Sequence, residues 1–356
     1  MASKGIRDQV AIVGMGCTPF GEHWDSSTDD MLLLSSSDAL ESAGVPLDDV
    51  DAFWLGTMGS GVSGLTLSRP LKIDYKPVTR LENMCATGSE AFRNACYAVA
   101  SGAFDVAMAI GVEKLKDSGY SGLVGGSIPN DGTLPTLTAP ASFSLLAPAY
   151  AKKYGVDEAE MKDVLTRIAW KNHHNGALNP RAQFRKEVAK DTIACSPLVA
   201  GPLGIFDCSG VSDGSAAAIV VRAEDAHKYT DKPLFVKALS FVAGPAAGPI
   251  DPTYDYTSFR EVVRSAEDAY AQAGTFDLDG ELPVNPDGGL KSFGHPIGAS
   301  GLRMLFEAWL QLRQEAPAER QVKSVAAGKS KALTHNLGGA PGACVSFVSV
   351  VGSEPG

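Results

Sequence analysis

The chain has no run of 18 consecutive apolar residues, so no segment reads as a transmembrane helix. Its first residues, Met1-Ala-Ser-Lys-Gly-Ile-Arg7, lack the apolar core of a secretory signal. There is no basic tract, and the formal net charge is −10. That balance favours neither nucleic acid nor a membrane surface. It leaves room for a small polyanionic ligand, because a few local Lys or Arg side chains suffice. The six cysteines, at 17, 85, 96, 195, 208 and 344, form no Cys-x-x-Cys pair and no metal-type spacing with histidine. No metal site and no redox cofactor is expected. In a chain of 356 residues they read as reduced thiols, which places the protein in the cytoplasm.

Apolar residues make up 44% and charged residues 20%, the composition of an ordinary globular protein. The length exceeds the usual single domain, so two core units or one repeated unit with an insertion are expected. Val10-Ala-Ile-Val-Gly-Met15 reads as a buried strand, 29–43 as an amphipathic helix, 50–56 as a strand, 86–101 as a helix and 106–111 as a strand. This alternation predicts a largely parallel sheet covered by helices. From 115 to about 205 the rhythm breaks into Gly- and Pro-rich sequence, with helices near 143–153 and 158–170 and an irregular polar stretch at Asn172-His-His-Asn-Gly176. Strand 216–221 resumes the sheet.

The pattern restarts with a strand at 234–242, a helix at about 257–273, a helix after Gly298 to about Arg313, and closing strands at 333–337 and 343–350. Two βαβαββ halves are predicted: 1–114 with 206–230, and 231–356, with an inserted loop domain at 115–205. The second half is short by one piece. The first half places strand 50–56 between its helices, whereas the interval from Gly274 to Gly294 holds turn chemistry and no strand-length apolar run. Either a segment between Gly274 and Thr275 is deleted, or the natural chain has a stretch there beyond these 356 residues. The second is the expectation.

Cys85 sits in Leu-Glu-Asn-Met-Cys85-Ala-Thr-Gly-Ser, where a polar stretch turns into a helix. Free N–H groups and the dipole at a helix start favour a thiolate. A free thiol of pKa about 8.5 is only a few per cent ionised at neutral pH, so this setting predicts a depressed value. Gly294-His295-Pro-Ile-Gly-Ala-Ser-Gly301 opens a second helix and offers a general base. The alternative readings are a buried small hydrophobe for Cys85 and a helix-capping residue for His295. A thiol and a histidine on two helix starts suit covalent acyl transfer.

These motifs resemble the thiolase superfamily over nearly the whole chain: Asn83-Met-Cys85-Ala-Thr-Gly-Ser89, Asp207-Cys-Ser-Gly-Val-Ser-Asp213-Gly, and Asn285-Pro-Asp-Gly-Gly-Leu-Lys-Ser-Phe-Gly-His295-Pro-Ile-Gly. His335-Asn-Leu-Gly-Gly-Ala-Pro-Gly342 is similar to the sterol-carrier-protein-2 type and the archaeal acetyl-CoA acetyltransferases. The resemblance implies an α/β thiolase fold, with the two halves stacked in five αβαβα layers. It implies acyl transfer between coenzyme A thioesters through a Cys85 acyl-enzyme, with His295 as base and coenzyme A as substrate rather than cofactor. A backbone N–H near Gly338 would join that of Cys85 to hold the thioester oxyanion, with His335 and Asn336 beside it. Asn336 stands where ordinary thiolases carry their second cysteine. In this subgroup a His-Asp-Cys-Phe block supplies that cysteine, and it falls in the interval between Gly274 and Phe276. Cys344, beyond the glycine turn, is not assigned that role.

The loop domain shapes the coenzyme A site in the family, which points to Arg185 and Lys186, with Lys171, His173, His174 and Arg181 nearby. Ser240, Ala243 and Gly244 belong to a stretch resembling the loop along the pantetheine arm. Taken singly, each of these also reads as solvated surface. Tyr254 and Tyr256 read as residues leading into the helix, or as an intruding proton donor. Asp207 and Asp213 read as structural. The family further implies a homodimer or tetramer, and archaeal relatives associate with a 3-hydroxy-3-methylglutaryl-CoA synthase and a zinc-ribbon/OB-fold protein. The competing readings are a related condensing enzyme and a scaffold subunit without full chemistry.

Overall fold

The computed structural model describes residues 5–118, 138–273 and 284–355. The first half runs β1 (Val10–Cys17), α1 (Thr28–Ala43), β2 (Ala52–Gly56), α2 (Leu65–Leu71), β3 (Val78–Leu81), α3 (Thr87–Ala100) and β4 (Val106–Glu113). β1 and β4 are buried at every position, as continuous apolar runs covered on both faces must be. α1 begins at Ser27, whose hydroxyl and the Asp30 carboxylate form a reciprocal capping box, and ends at Gly44 in the left-handed region.

The chain then leaves the sheet for α4 (Ala139–Phe143), α5 (Leu146–Tyr154), α6 (Glu158–Ala177), α7 (Lys190–Ala194), β5 (Leu198–Ala200) and β6 (Leu203–Gly204), and returns as β7 (Gly214–Arg222). The stretch expected to be irregular at 172–176 is the last turn of α6. Its Thr166, Ala169, Asn172, His173 and Gly176 line one buried face at helical spacing, so packing overrides the weak local propensity of Asn and Gly.

The second half comprises β8 (Leu234–Ala243), α8 (Arg260–Ala273), α9 (Gly289–Ser292), α10 (Ser300–Leu312), α11 (Lys323–Ala326), β9 (Lys331–Ala340) and β10 (Ala343–Gly352). The junction between Gly274 and Thr275 lies outside the described residues.

Strand order is β3-β2-β4-β7-β1-β8-β10-β9. Only β2 pairs in parallel, with β3 and with β4; every other ladder of this sheet is antiparallel. The expectation of a largely parallel sheet is therefore corrected. β7 follows β4 through the loop domain rather than a crossover helix, and β9 and β10 are joined by the two residues Pro341 and Gly342, a link only an antiparallel pair allows. The short pairing of Ala11 with Phe235 and Ile12 with Leu234 joins the halves edge to edge.

Read outward from that seam, β1, β7 and β4 match β8, β10 and β9. Counterparts of β2 and β3 do not occur among the described residues, so β9 is the edge of the sheet that they form. β3 and α2 were not legible in the sequence, because four partly buried residues and a helix containing Pro70 make weak patterns.

α1 packs Met31, Leu32 and Ala39 against Phe53, Leu55 and Ile110. On the other face of that half-sheet, α3 and α10 bring Phe92, Leu302 and Trp309 together with Val236 and Phe347 of the second half-sheet. α8 covers the far side through Ala269, Ala238, Val348 and Val350. These are the five layers of an αβαβα sandwich, with α3 and α10 in the middle. Both motif histidine and motif cysteine stand at the starts of those central helices.

Candidate active site

β3 ends in a tight turn into α3. Met84 adopts φ +51, a left-handed value that costs a non-glycine residue of order 1 kcal/mol. Thr87 holds the turn from both sides. Its Oγ1 accepts from Asn83 N–H at 2.8 Å and donates to Met84 C=O at 2.6 Å. Cys85 follows, one residue before the cap of α3. It keeps part of its surface open, and two backbone N–H groups, of Gly339 and of Cys85 itself, bear on its thiol.

The expected depressed pKa is not found. Burial pushes the thiol up to about 11, Glu82 and Glu113 add to the rise, and the two N–H groups only partly oppose it. A helix start placed inside a protein loses more to desolvation than it gains from the dipole. At that value Cys85 is a thiol in the free protein.

The His295 loop packs on the start of the same helix. Gly298 follows His295 by three residues, and a Cβ on Gly88 would sit 2.6 Å from the Gly298 carbonyl oxygen. The same oxygen lies against Gly111, and a Cβ on Gly298 would meet the Gly56 carbonyl oxygen at 2.6 Å. Only hydrogen at these positions lets the His295 loop lie flat on the start of α3. His295 is 3% exposed. Its N–H donates to Ser212 Oγ at 3.0 Å, and Nδ1 lies 2.6 Å from Ser300 Oγ. Because the Ser300 hydroxyl donates to Pro296 C=O at 2.9 Å, the shared proton sits on Nδ1 and leaves the Nε2 lone pair as the base. Burial lowers the imidazole to about 4, so it is neutral and able to accept.

This burial has a consequence for stability. The folded value lies below the unfolded 6.5, so the stabilisation is full above pH 6.5 and is lost as pH falls toward the folded value. Unfolding free energy should decline by up to about 1.4 kcal/mol per pH unit through this group. His173, lowered to about 4 by burial and by Lys291, acts in the same direction. Urea unfolding at pH 7, 6 and 5 measures the slope, and His295→Ala should flatten it; stability unchanged from pH 7 to 5 would contradict the assignment.

The other sequence-selected residues separate. Gly338, expected to give the oxyanion N–H, lies on the Cys85 turn: a Cβ there would stand 2.6 Å from Asn83 C=O and 3.1 Å from Cys85 N, while the N–H bearing on the thiol is that of Gly339. Alternation along β9 splits His335 from Asn336. Asn336 points inward, its Oδ1 accepting from Ser89 Oγ at 3.0 Å. His335 points toward α8, where Nε2 meets Ser346 Oγ at 3.1 Å and that hydroxyl meets Ser265 Oγ at 2.6 Å. His335 therefore faces away from α3 and Cys85, which corrects its place in the site.

Among the residues expected at coenzyme A, Ser240 is buried in β8, on the face that α8 covers. Ala243 is exposed at the strand end. Gly244 N–H donates to Cys344 C=O at 3.0 Å, and Gly248 N–H to Gly342 C=O at 2.9 Å. That loop thus packs on the hairpin next to Gly339. Arg185 and Lys186 lie exposed after α6, with Arg185 reaching Pro180 C=O at 3.4 Å. Arg181 turns inward to Cys17 C=O at 2.9 Å, and Lys171 and His174 bond Val284 C=O and Glu187. His173 is buried between Phe184 and Phe206. Tyr254 packs against Gly342 and bonds Ser258 C=O.

Asp213 holds Lys114 Nζ and the N–H groups of Leu115, Lys116 and His23, and Asp207 accepts from Gly204 N–H. Thr87, Ser212, Ser300 and Gly339 were missed in the sequence. Of these, only Thr87, a β-branched hydroxyl at a helix start, carried a local signal. No helix among the described residues is long and apolar enough to cross a membrane.

Comparison with known proteins fits this geometry. The N-terminal thiolase domain model matches residues 10–224, and the thiolase C-terminal domain-like model matches 262–350. The acetyl-CoA acetyltransferase of Methanothermobacter thermautotrophicus is 34% identical, covering 95% of this chain and 98% of that protein. Sterol carrier protein 2 of Gallus gallus is 28% identical, over 94% of this chain and 70% of that protein. Among solved structures, one described as "Ltp2-ChsH2(DUF35) aldolase" superposes with a TM-score of 0.78 at 19% identity, covering 98% of each chain. The alignment to the Methanothermobacter protein runs to 387 positions against 356 residues here, so that relative has residues without a counterpart in this chain. With the N-terminal domain matched over more than half its length and Cys85 and His295 on the two central helices, the chain belongs to the thiolase family of acyltransferases, whose members move acyl groups between coenzyme A thioesters.

Proposed function

We propose that Cys85 is the acyl-carrying nucleophile and His295 the base that takes its proton. The observation that carries this is the packing of the His295 loop on the start of α3, Gly298 C=O against Gly88, with the Cys85 and Gly339 N–H groups beside the thiol. Attack of sulfur on a thioester or 3-keto carbonyl places negative charge on the carbonyl oxygen. Preorganised N–H donors for such an oxygen are worth roughly 3 kcal/mol each. In the degradative direction Cys85 attacks the 3-keto carbon of a 3-ketoacyl-CoA and acetyl-CoA leaves as its enolate. Coenzyme A thiol then collects the acyl group. In the synthetic direction the acetylated cysteine receives the enolate of a second acetyl-CoA.

Both directions need a second acid/base for the enolate. We place it in the interval after Gly274, where the family block that carries the second cysteine would fall; the alignment to the Methanothermobacter relative, longer than this chain, supports that reading. We assign residues 1–114 with 206–230 and 231–356 to the two thiolase halves, and 115–205 to the loop domain. Ala243 and Gly244 are proposed to border the pantetheine arm, and Arg185 and Lys186 its phosphates. The exposed sheet edges β3 and β9 support a homo-oligomeric assembly and a protein partner, of which a zinc-ribbon/OB-fold chain and a 3-hydroxy-3-methylglutaryl-CoA synthase are the proposed kinds. The free cysteines support a cytoplasmic setting.

The test is direct. The protein is incubated with acetyl-CoA or acetoacetyl-CoA, quenched in acid, and mapped by mass spectrometry. An acetyl or acetoacetyl adduct on Cys85 is expected. No adduct there leaves the scaffold reading in its place.

A further inference from the structure

Glu113, the last residue of β4, is fully buried, and its carboxylate collects six hydrogen-bond donors. Oε1 accepts from Thr57 Oγ1 at 3.1 Å, Gly59 N–H at 2.9 Å, Ser60 N–H at 3.0 Å and Ser60 Oγ at 2.8 Å. Oε2 accepts from Met58 N–H at 3.0 Å and Gly298 N–H at 3.1 Å. All six are neutral. An acceptor-only carboxylate can satisfy so many inward-pointing donors, whereas an amide would turn an N–H₂ against them.

The last of these donors connects Glu113 to the chemistry. Gly298 lies in the turn that starts α10. Two residues on, Ser300 holds His295 Nδ1, and three residues back is His295 itself. The other five donors belong to the loop after β2, whose carbonyls at Thr57 and Met58 are held in turn by Arg80 from β3. One carboxylate therefore ties the ends of β4 and β2 to the histidine loop. The loop's other supports are the Gly88, Gly111 and Gly298 contact, which is backbone shape without direction, and the hydrogen bonds of Ser212 and Ser300 at His295 itself. Glu113 adds the directed tie from the loop to the ends of β4 and β2.

We propose that Glu113 is a positioning residue that fixes the His295 loop, and so the Nε2 lone pair, against the start of the Cys85 helix. The inference rests on the acyl-transfer reading and adds a role for a residue that does not touch the reacting atoms. Displacing a base by about 1 Å costs up to about 100-fold in rate. Glu113 also raises the Cys85 thiol pKa, so its charge works against the thiolate. Selection of this carboxylate for charge alone would be counterproductive, which favours the positional role.

In Glu113→Gln, kcat for thiolysis of acetoacetyl-CoA should fall about 10- to 100-fold with KM within threefold. The loss should shrink as pH rises from 7 to 10, because hydroxide then ionises Cys85 without the misplaced base. A merely structural role would lower thermal stability and leave the ratio of rates constant across that range. Turnover within twofold of the unmodified protein, or a loss of kcat that does not vary with pH, overturns the proposal.

Should the glutamine variant not fold, Thr57→Val removes one of the six donors. It is expected to lower kcat about two- to fivefold at constant KM, and full turnover in that variant overturns the proposal as well. Mapping the Cys85 adduct in the unsubstituted protein comes first. An adduct there with unaltered Glu113→Gln turnover sinks this inference alone, whereas no adduct sinks the acyl-transfer reading and this inference with it.

Discussion

Cys85→Ala is expected to lower turnover of a 3-ketoacyl-CoA by roughly 10⁴-fold or more, with the circular dichroism spectrum of the unsubstituted protein. The loss is large because no other thiol stands at the start of α3. Cys96 is buried within α3 with its pKa pushed far up by desolvation, Cys17 and Cys344 are buried, and Cys195 and Cys208 lie after α7 and before β7. The fold should survive, because Thr87, not the thiol, closes the turn, and alanine accepts the same backbone. Steady-state thiolysis with acetoacetyl-CoA gives the number. A residual rate above about 1% would mean that the chemistry runs without an acyl-enzyme, and the adduct map would then be blank at residue 85.

The second large effect is expected at His295. His295→Ala should lower kcat by about 10²- to 10⁴-fold, the range for removal of a general base. Since Cys85 is a thiol in the free protein, with a pKa near 11, its deprotonation at neutral pH depends on a partner, and His295 with its value near 4 is already in the accepting form. The loss should therefore shrink as pH rises toward that of the thiol, where hydroxide ionises Cys85 without help. Rates of the variant and the parent measured from pH 7 to 10 test this. A constant ratio across that range would show that His295 acts elsewhere in the reaction. Because His295 is buried and bonds Ser300, the alanine variant should also lose stability, and His295→Gln keeps more of the volume for comparison.

Much of the fold was legible. β1 and β4 are apolar runs of eight residues with nothing else to be, and α1 announces itself through a capping box and a terminal glycine. Cys85 and His295 were found because each sits at a change from glycine and polar residues to amphipathic helix, a purely local signal. β3 and α2 escaped because their burial comes from neighbours supplied by β2 and α1. α6 extended through Asn172 to Ala177 because the loop domain buries that face.

The sequence by itself determined the alternation of strands and helices, the two helix starts, and the glycines that leave them bare. These follow from spacing, propensity and turn chemistry acting over a few residues. Tertiary structure alone decided the rest. It turned His335 away from Asn336, because facing alternates along β9. It raised Cys85 and lowered His295, because desolvation depends on atoms that arrive from distant parts of the chain. And it brought Gly298 to Glu113, across 185 residues of chain, through backbone contacts that leave no trace in either local pattern.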